Sequence, residues 1–418
     1  MTAIGALIGL ALAILLIVRK IHPLYSLLLG AVVGGLIGGF TLPQTVTLML
    51  DGIKDITPAM LRILAAGILS GVLVKTGAAV SISNAIVRTV NRRHAFLTLA
   101  FATMFLTASG VFIDVAVITV APVALNLGRR LSISKERLLL ALIGGGKCGN
   151  IISPNPNTIV AAENFGADLS SVMYVNLAAA FIGLFFVSYL LIRMLPKQGI
   201  IVADDDVSSR EEKLPSFLSS MVAPAVAIML LSLRPLFGIV IDPLVALPAG
   251  GLAGILAMRK WSQLRESMGY GLEKMTFVVI LFIGTGAIAG IIKASTIRDI
   301  LLKALANTPL GEVLIAPVSG ALLSAATAST TAGATVASAS FAGVIITAGI
   351  SAVWGAAMTN AGATILDHLP HGSFFHATGG SVNINFNTRL KLVPYETLVG
   401  IVLTAGSVIS YLLISSLA

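Results

Sequence analysis

Long apolar blocks constrain the fold of this chain more than any other feature. Each is roughly as long as a helix that spans the hydrocarbon core of a bilayer, about 20 residues. The blocks include Ile4–Val18, Leu24–Phe40, Val172–Ile192, Phe277–Ile292 and Leu398–Leu417. Only 11% of the residues are charged, against about 25% in soluble domains. The sequence therefore predicts an all-α polytopic membrane protein and argues against a soluble α/β protein.

The remaining composition narrows the possible functions. No Lys or Arg precedes the first apolar block, and Arg19 and Lys20 follow it, which predicts a retained first helix rather than a signal peptide. The single cysteine, Cys148, excludes a disulfide framework and a thiolate metal cluster. The net charge of +9 is spread over short loops, which favours a membrane-topology signal over nucleic-acid binding.

The two halves of the sequence resemble each other at an offset of about 220 residues. Thr107-Ala108-Ser109 recurs as Thr327-Ala328-Ser329, and the pentapeptide Ser188–Ile192 recurs as Ser410–Ile414. Each half is predicted to contain about five transmembrane helices, one re-entrant helical hairpin and one broken helix. A hairpin adds no crossing, so each half crosses an odd number of times and the two repeats are predicted to be inverted.

The predicted boundaries follow from this repeat. The N-terminal repeat covers 1–196, with its first helices in 1–93, the hairpin and broken helix in 94–165, and the last helix in 172–195. A polar cytoplasmic linker covers 197–216. The C-terminal repeat covers 217–418, with the corresponding parts in 217–305, 310–380 and 396–418.

The distribution of basic residues predicts the orientation. With the N-terminus outside, 19 of the 27 Lys and Arg residues fall in inside loops and 5 in outside loops. The positive-inside rule therefore places both termini on the periplasmic side of a bacterial cytoplasmic (inner) membrane.

The hairpin tips and the first break are candidate ligand sites, because irregular polar backbone at membrane depth must be buried in protein or line a cavity. Two closely spaced prolines, Pro154 and Pro156, interrupt the first broken helix. The segment lacks the pattern of a phosphate-binding Walker loop, since Ala141 and Cys148 replace its glycine and hydroxyl residues. The candidate substrate-binding residues are Thr107, Ser109, Asn150, Ser153, Asn155, Asn157, Thr327, Ser329, Thr330, Thr331 and Asn360.

The second break is rich in titratable groups, and three of the five histidines of the chain lie in it or just after it. Its Asp367, His368 and His371 are candidates for proton coupling, because histidine titrates near neutral pH; structural hydrogen bonding is the alternative. The pattern matches no zinc motif, so no metal or cofactor is predicted. Asp114 is a further candidate, either in an ion pair with Lys147 or as a carrier of the coupling proton or of the substrate charge.

The motifs resemble those of the gluconate permease family (GntP), in the ion transporter superfamily that includes citrate and dicarboxylate carriers. Ser153-Pro154-Asn155-Pro156-Asn157 stands where the family has an "HPGP"-like turn. Leu369–Phe375 is similar to its "VNDSGFW" segment, and Val393–Leu398 to the start of its last helix. Asn155, Asn157 and His371 depart from the family pattern, which leaves open another hydroxy acid or a citrate-like acid in place of gluconate.

The resemblance implies a proton-coupled symporter of a small organic anion, a homodimer that works by an elevator mechanism. The first three helices of each half would form the scaffold, and the hairpins and broken helices would move. A sodium-coupled citrate or dicarboxylate carrier is the alternative within the class. A membrane enzyme would need a nucleophile and a base in reach of each other, with Ser373 beside His371 or His376 as the candidate. The paired hairpins argue against a channel. The chain is expected to be a transporter and not an enzyme.

Overall fold

The computed structural model describes residues 2–87, 94–196, 199–203, 206, 213–296 and 311–416. Within these ranges the chain is helical, apart from one isolated antiparallel bridge between Ser134 and Ile201. Parts of the predicted linker (197–198, 204–205 and 207–212) and the predicted helical region at 297–305 lie outside the described residues, as do 88–93 and 417–418.

The first half forms helices that are interrupted by short turns. They are α1 (Ala3–Val18), α2 (Pro23–Ile37), α3 (Leu42–Lys75), α4 (Ala78–Val87), α5 (Ala95–Ala108), α6 (Ile113–Leu131), α7 (Lys135–Asn150), α8 (Pro156–Phe165), α9 (Leu169–Val175) and α10 (Leu177–Phe185). A π-helical segment, Phe186–Leu191, and a last turn, Ile192–Met194, continue α10.

The second half repeats much of this order. Its described helices are α11 (Phe217–Phe237), α12 (Pro243–Ala257), α13 (Leu264–Lys293), α14 (Gly311–Thr327), α15 (Thr330–Thr347), α16 (Ala352–Gly362), α17 (Ser373–Ser381), α18 (Phe386–Leu390) and α19 (Val393–Ser415). Six helical stretches in the described part of the chain are long and apolar enough to cross a membrane. The multi-pass membrane protein predicted from the sequence is thus supported.

Two of the predicted spans are too short. The apolar pattern predicts a third span at 57–74, but α3 begins at Leu42 and carries Pro58 in its interior. The first turns of α3 carry the exposed residues Asp51, Lys54 and Asp55, so a search for apolar runs does not detect these turns. Pro58 also suggests a helix start at that position, because proline is tolerated in the first turn of a helix. Likewise the apolar pattern predicts a span at 275–292, whereas α13 begins upstream of it, at Leu264.

Tight turns join two pairs of helices at the predicted hairpin tips. Between α5 and α6, Gly110 has a φ of +98°, a conformation that glycine adopts without steric cost. Between α14 and α15, Ala328 has a φ of +45° and Ser329 caps α15. Each half therefore has a helix, a tight turn and a second helix at its predicted hairpin tip.

Two helices end inside the polar segments that the sequence singled out. α7 ends at Asn150 and α8 begins at Pro156, while α16 ends at Gly362 and α17 begins at Ser373. Both α7 and α16 pack closely on the first helix of a hairpin. A Cβ on Gly145 of α7 would lie 1.9 Å from the Ala100 carbonyl oxygen, and one on Gly362 would lie 2.1 Å from that of Pro317.

The chain divides into two compact units. Unit 1 comprises Met1–Ile63, Pro156–Val175 and Met275–Asp367, and unit 2 comprises Leu64–Asn155, Asn176–Lys274 and His368–Ala418. In unit 1, α8 packs on α15 and α16, and an apolar core joins α1 and α2 to α14, α15 and the end of α13. In unit 2, α5 and α6 pack on α7, α11 packs on α12, and α10 packs on α19. Each unit therefore takes segments from both sequence halves.

The described part of the predicted linker is fixed to unit 2. Ile201 pairs with Ser134, and the Lys135 ammonium donates to the Asp206 carboxylate at 2.7 Å. This hydrogen bond holds the pKa of Asp206 below its usual range.

One repeated sequence adopts two conformations. The last four residues of Phe186–Leu191 belong to the pentapeptide Ser188–Ile192, whose copy Ser410–Ile414 lies in the regular α-helix α19. Leu191 is buried, whereas its counterpart Leu413 is 60% exposed.

Candidate functional site

The first break is held by uncharged side chains of unit 2. The Asn155 amide donates to the side-chain oxygen of Asn150 and, at 3.3 Å, to its backbone carbonyl. The Ser153 hydroxyl donates to the Thr107 carbonyl at 2.5 Å. All four residues are buried. These bonds satisfy backbone groups that the interruption of the helix leaves open, and they join the break to the first hairpin tip.

The hydroxyl groups of the first tip bond to their own helix. Thr107 donates to the Thr103 carbonyl at 2.7 Å, and Ser109 donates to the Phe105 carbonyl at 2.7 Å. The structure therefore uses the hydroxyl protons of both predicted substrate residues for backbone bonds. Their oxygens retain acceptor capacity.

Lys147 and His368 form a buried contact in unit 2. The two nitrogens, Nζ of Lys147 and Nδ1 of His368, lie 2.8 Å apart, and both side chains are fully buried. Lys147 also donates to the backbone carbonyl of Glu396 at 3.4 Å. The predicted proton-coupling residue His368 is thus paired with a cation from the end of α7.

The other two proton-coupling candidates of unit 2 lie in more open surroundings. Asp114 is partly buried at the start of α6, and one of its oxygens accepts the backbone N–H of Val115 at 2.9 Å. Among the described residues Asp114 forms no ion pair with Lys147, so that proposed pairing is wrong; the Lys147 side chain reaches α19 instead. His371 is exposed.

The second break and the second hairpin contribute a polar cluster to unit 1. The Asn157 amide donates to the side-chain oxygen of Asn360 at 2.7 Å, and the Asn360 amide donates to the Thr158 hydroxyl at 3.1 Å. The Thr330 hydroxyl donates to the Asp367 carboxylate at 2.5 Å. All five side chains are buried. Unit 1 therefore brings together the residues of α8, α15, α16 and the second break.

The remaining tip residues serve the ends of helices. The Thr327 hydroxyl donates to the Leu323 carbonyl at 2.9 Å, and the Ser329 hydroxyl accepts the N–H of Ala332 at 3.3 Å. Ser329 is thus an N-cap for α15. Thr331 is partly buried in the first turn of the same helix.

The sequence analysis did not predict one buried ion pair. Arg389 and Glu396 lie in unit 2 and pair through both carboxylate oxygens, with side chains 1% and 0% exposed. Arg389 is one of the 19 basic residues that the sequence analysis assigns to inside loops. An acidic residue in the first turn of an apolar helix was the available signal. Thr158 was also missed, since a threonine in a helical run carries no signal of its own.

Among the described residues no three His, Cys, Asp or Glu side chains converge. The predicted site residues offer amides, hydroxyls, the carboxylates of Asp114 and Asp367 and the imidazoles of His368 and His371, with the Lys147 amine beside His368.

The fold is that of a helical membrane transporter. It is similar to the crystal structure of the YdaH transporter of Alcanivorax borkumensis, with a TM-score of 0.64 and 16% identity over 90% of this chain and 89% of that chain. The GntP family permease model matches residues 1–246. An uncharacterized transporter of Haemophilus influenzae is 53% identical over 98% of each sequence. The chain therefore belongs to the GntP permease family, as its motifs predicted, and it is a transporter rather than an enzyme.

More distant relatives have named substrates. The gluconate permease of Pseudomonas aeruginosa is 24% identical over 96% of this chain and 95% of its own length. The D-serine transporter DsdX of Escherichia coli K12 is 24% identical over 77% of this chain and 78% of its own. A second family model, the Na+-H+ antiporter family, matches residues 219–308.

Proposed function

We propose that this protein is a secondary active transporter that carries a small hydroxylated carboxylate together with protons. The observation that carries the proposal is the set of buried amide side chains at the two helix breaks, Asn150 with Asn155 and Asn157 with Asn360. Amides both donate and accept, so they suit a ligand with hydroxyl and carboxylate oxygens. Gluconate and D-serine, the substrates named for two relatives, each carry both groups.

The proposed substrate-binding residues are those of the tips and breaks. Asn157 lies in the first turn of α8 and Thr330 in that of α15, where helix N-termini favour a carboxylate. Ser329 and Thr331 flank Thr330, and Thr107, Ser109, Ser153 and Thr327 would supply acceptors or backbone carbonyls. Exchange of internal hydrogen bonds for bonds to the substrate keeps the cost of opening the site low.

The proposed proton-coupling residues are Asp367, His368, Asp114 and His371. Asp367 is the strongest of them, because a buried carboxylate bonded to Thr330 can gain or lose a proton as the ligand contacts change. His368 beside Lys147 is the second. Asp114 and His371 lie in more open surroundings and would act as entry groups.

The proposed architecture has two inverted repeats, an elevator mechanism and a homodimer in the bacterial inner membrane. The order of a hairpin followed by a broken helix in each half supports the repeats. The first three helices of each half would form the scaffold, and the basic residues favour periplasmic termini.

A sodium-coupled carrier of citrate or dicarboxylates is the alternative, favoured by the match of residues 219–308 to the Na+-H+ antiporter family. Uptake into proteoliposomes decides between them. A panel of sugar acids, hydroxy acids, D-serine, dicarboxylates and citrate is first screened by thermal shift. Uptake of the stabilising compound is then driven by a pH gradient or by a sodium gradient. Dependence on the pH gradient alone is expected, and uptake that follows sodium and ignores pH contradicts the proton coupling.

A further inference from the structure

The buried ion pair of Arg389 and Glu396 links three elements of unit 2 at the end of the second break. Arg389 extends from α18, and Glu396 lies in the first turn of α19. The guanidinium also donates to the Phe375 carbonyl and the Thr378 hydroxyl of α17, each at 3.2 Å, and lies 4.7 Å above the Phe375 ring. These contacts fix the start of α19 against α17.

The start of α19 in turn sets the protonation of His368. Nε2 of the imidazole lies 3.0 Å from the Val393 carbonyl oxygen and 3.1 Å from the Thr397 hydroxyl. A carbonyl oxygen only accepts, and Thr397 already donates its proton to that same carbonyl at 3.0 Å. Nε2 must therefore carry the hydrogen. With Lys147 as an ammonium, Nδ1 accepts from it across the 2.8 Å contact, and the ring then carries a single proton.

We infer that Arg389 and Glu396 are positioning residues that hold His368 in its neutral, Nε2-protonated form. The inference rests on the proposed role of His368 in proton coupling. Because Nδ1 accepts from Lys147, a proton that arrives at Nδ1 must first displace the ammonium, since two cations 2.8 Å apart repel each other. The charge of His368 is thereby tied to the position of Lys147, and the ion pair sets that position through the Glu396 carbonyl.

Among the described residues of unit 2, charged groups lie near the imidazole on three helices, and the titratable Asp367 directly precedes it in the chain. Lys147 faces it from α7, and Glu396 and Arg389 stand behind it on α19 and α18. His371 and His376 follow it in the chain and are exposed. The Glu396 carboxylate is paired with Arg389, so a proton added to His368 acts on Lys147, which contacts its Nδ1.

Nitrogen NMR of 15N-histidine-labelled, full-length protein in lipid bilayers tests the inference directly. His368→Gln identifies the His368 signals among the five histidines. In the wild type we expect a neutral ring protonated at Nε2. Arg389→Lys loses the bidentate ion pair with Glu396. Thr378→Val is milder, because it removes only the hydroxyl that accepts a hydrogen bond from the guanidinium. Each is expected to change the ratio of the neutral, Nε2-protonated form of His368 to its other protonation forms by about tenfold. This is the size expected from loss of one hydrogen bond to a charged group.

The control is Asp55→Asn, which removes an ion pair with Lys293 whose side chains are 57% and 76% exposed. It should leave the His368 signals unchanged. A wild-type signal from an Nδ1-protonated or doubly protonated ring overturns the inference, as does an unchanged ratio in both folded variants. If Arg389→Lys does not fold, Thr378→Val decides.

Uptake measured against pH supplies a second readout. Arg389→Lys should move the midpoint of the pH profile relative to the wild type, while Asp55→Asn should not. If the wild type shows no proton-driven uptake at all, the proposed function fails, and the NMR result still decides the positioning role.

Discussion

The two helix breaks occupy corresponding places in the two halves, yet they are built from different chemistry. Five residues, 151–155, separate α7 from α8, and the bonds there join amides, hydroxyls and backbone carbonyls. Ten residues, 363–372, separate α16 from α17, and they include Asp367 and His368, which contact Thr330 and Lys147. A neutral break cannot change its charge with pH, whereas a titratable one can. Under the proposed function, ligand recognition would belong mainly to the first break and proton sensing to the second.

The largest expected effect is on the ion pair that anchors the second break. Glu396→Gln leaves the buried Arg389 cation without its carboxylate, and removal of one partner from a buried pair costs about 3–5 kcal/mol. The thermal unfolding of the purified protein, followed by fluorescence-detected size exclusion, should show this loss. The exposed pair in Asp55→Asn should cost at most about 1 kcal/mol. Equal losses in the two variants would mean that the second break needs no such anchor.

Close glycine contacts should affect both breaks equally. Gly145→Ala and Gly362→Ala each push a Cβ into a backbone carbonyl, and overpacking of this kind costs about 1–3 kcal/mol. Gly343→Ala in α15 meets no atom within 4 Å and should instead stabilise the helix by about 1 kcal/mol. The same unfolding assay compares the three. A harmless Gly362→Ala beside a damaging Gly145→Ala would show that only the first break requires close packing.

The pH response should depend mainly on the second break. Asp367→Asn keeps an acceptor for Thr330 but cannot ionise. Substrate accumulation across a gradient of one pH unit should fall by about tenfold, the factor that one coupled proton contributes. The measurement compares substrate accumulation by wild-type and variant proteoliposomes that have the same internal pH. Full retention of the pH response would remove Asp367 from the coupling mechanism.

The smallest effect concerns the first break. Asn155→Ala removes the two hydrogen bonds that the Asn155 amide donates to Asn150, which together should cost about 1–2 kcal/mol and weaken substrate binding in thermal-shift titrations. The midpoint of the pH profile of uptake should stay in place. A displaced midpoint would contradict the neutral role of this break.

The sequence predicted the positions of turns and breaks well because glycine, proline and short polar residues act locally. Pro154 and Pro156 stop a helix whatever surrounds them. It predicted helix starts poorly where polar turns precede an apolar stretch, as in α3. It also missed the pairing of Lys147 with His368 and of Arg389 with Glu396. Those contacts depend on how α7, α18 and α19 pack, and residues 221 positions apart carry no local signal of their proximity.

The π-helical segment at Phe186–Leu191 changes the packing of a five-residue sequence that occurs twice in the chain. A π-turn accommodates one extra residue and rotates all that follows. Leu191 and Ile192 are buried, whereas the identical Leu413 and Ile414 are 60% and 53% exposed. The same residues therefore meet different packing constraints: a substitution at Leu191 or Ile192 would disturb buried contacts, whereas one at Leu413 or Ile414 would meet fewer neighbours. Identity between the two segments thus does not imply equal tolerance of substitution.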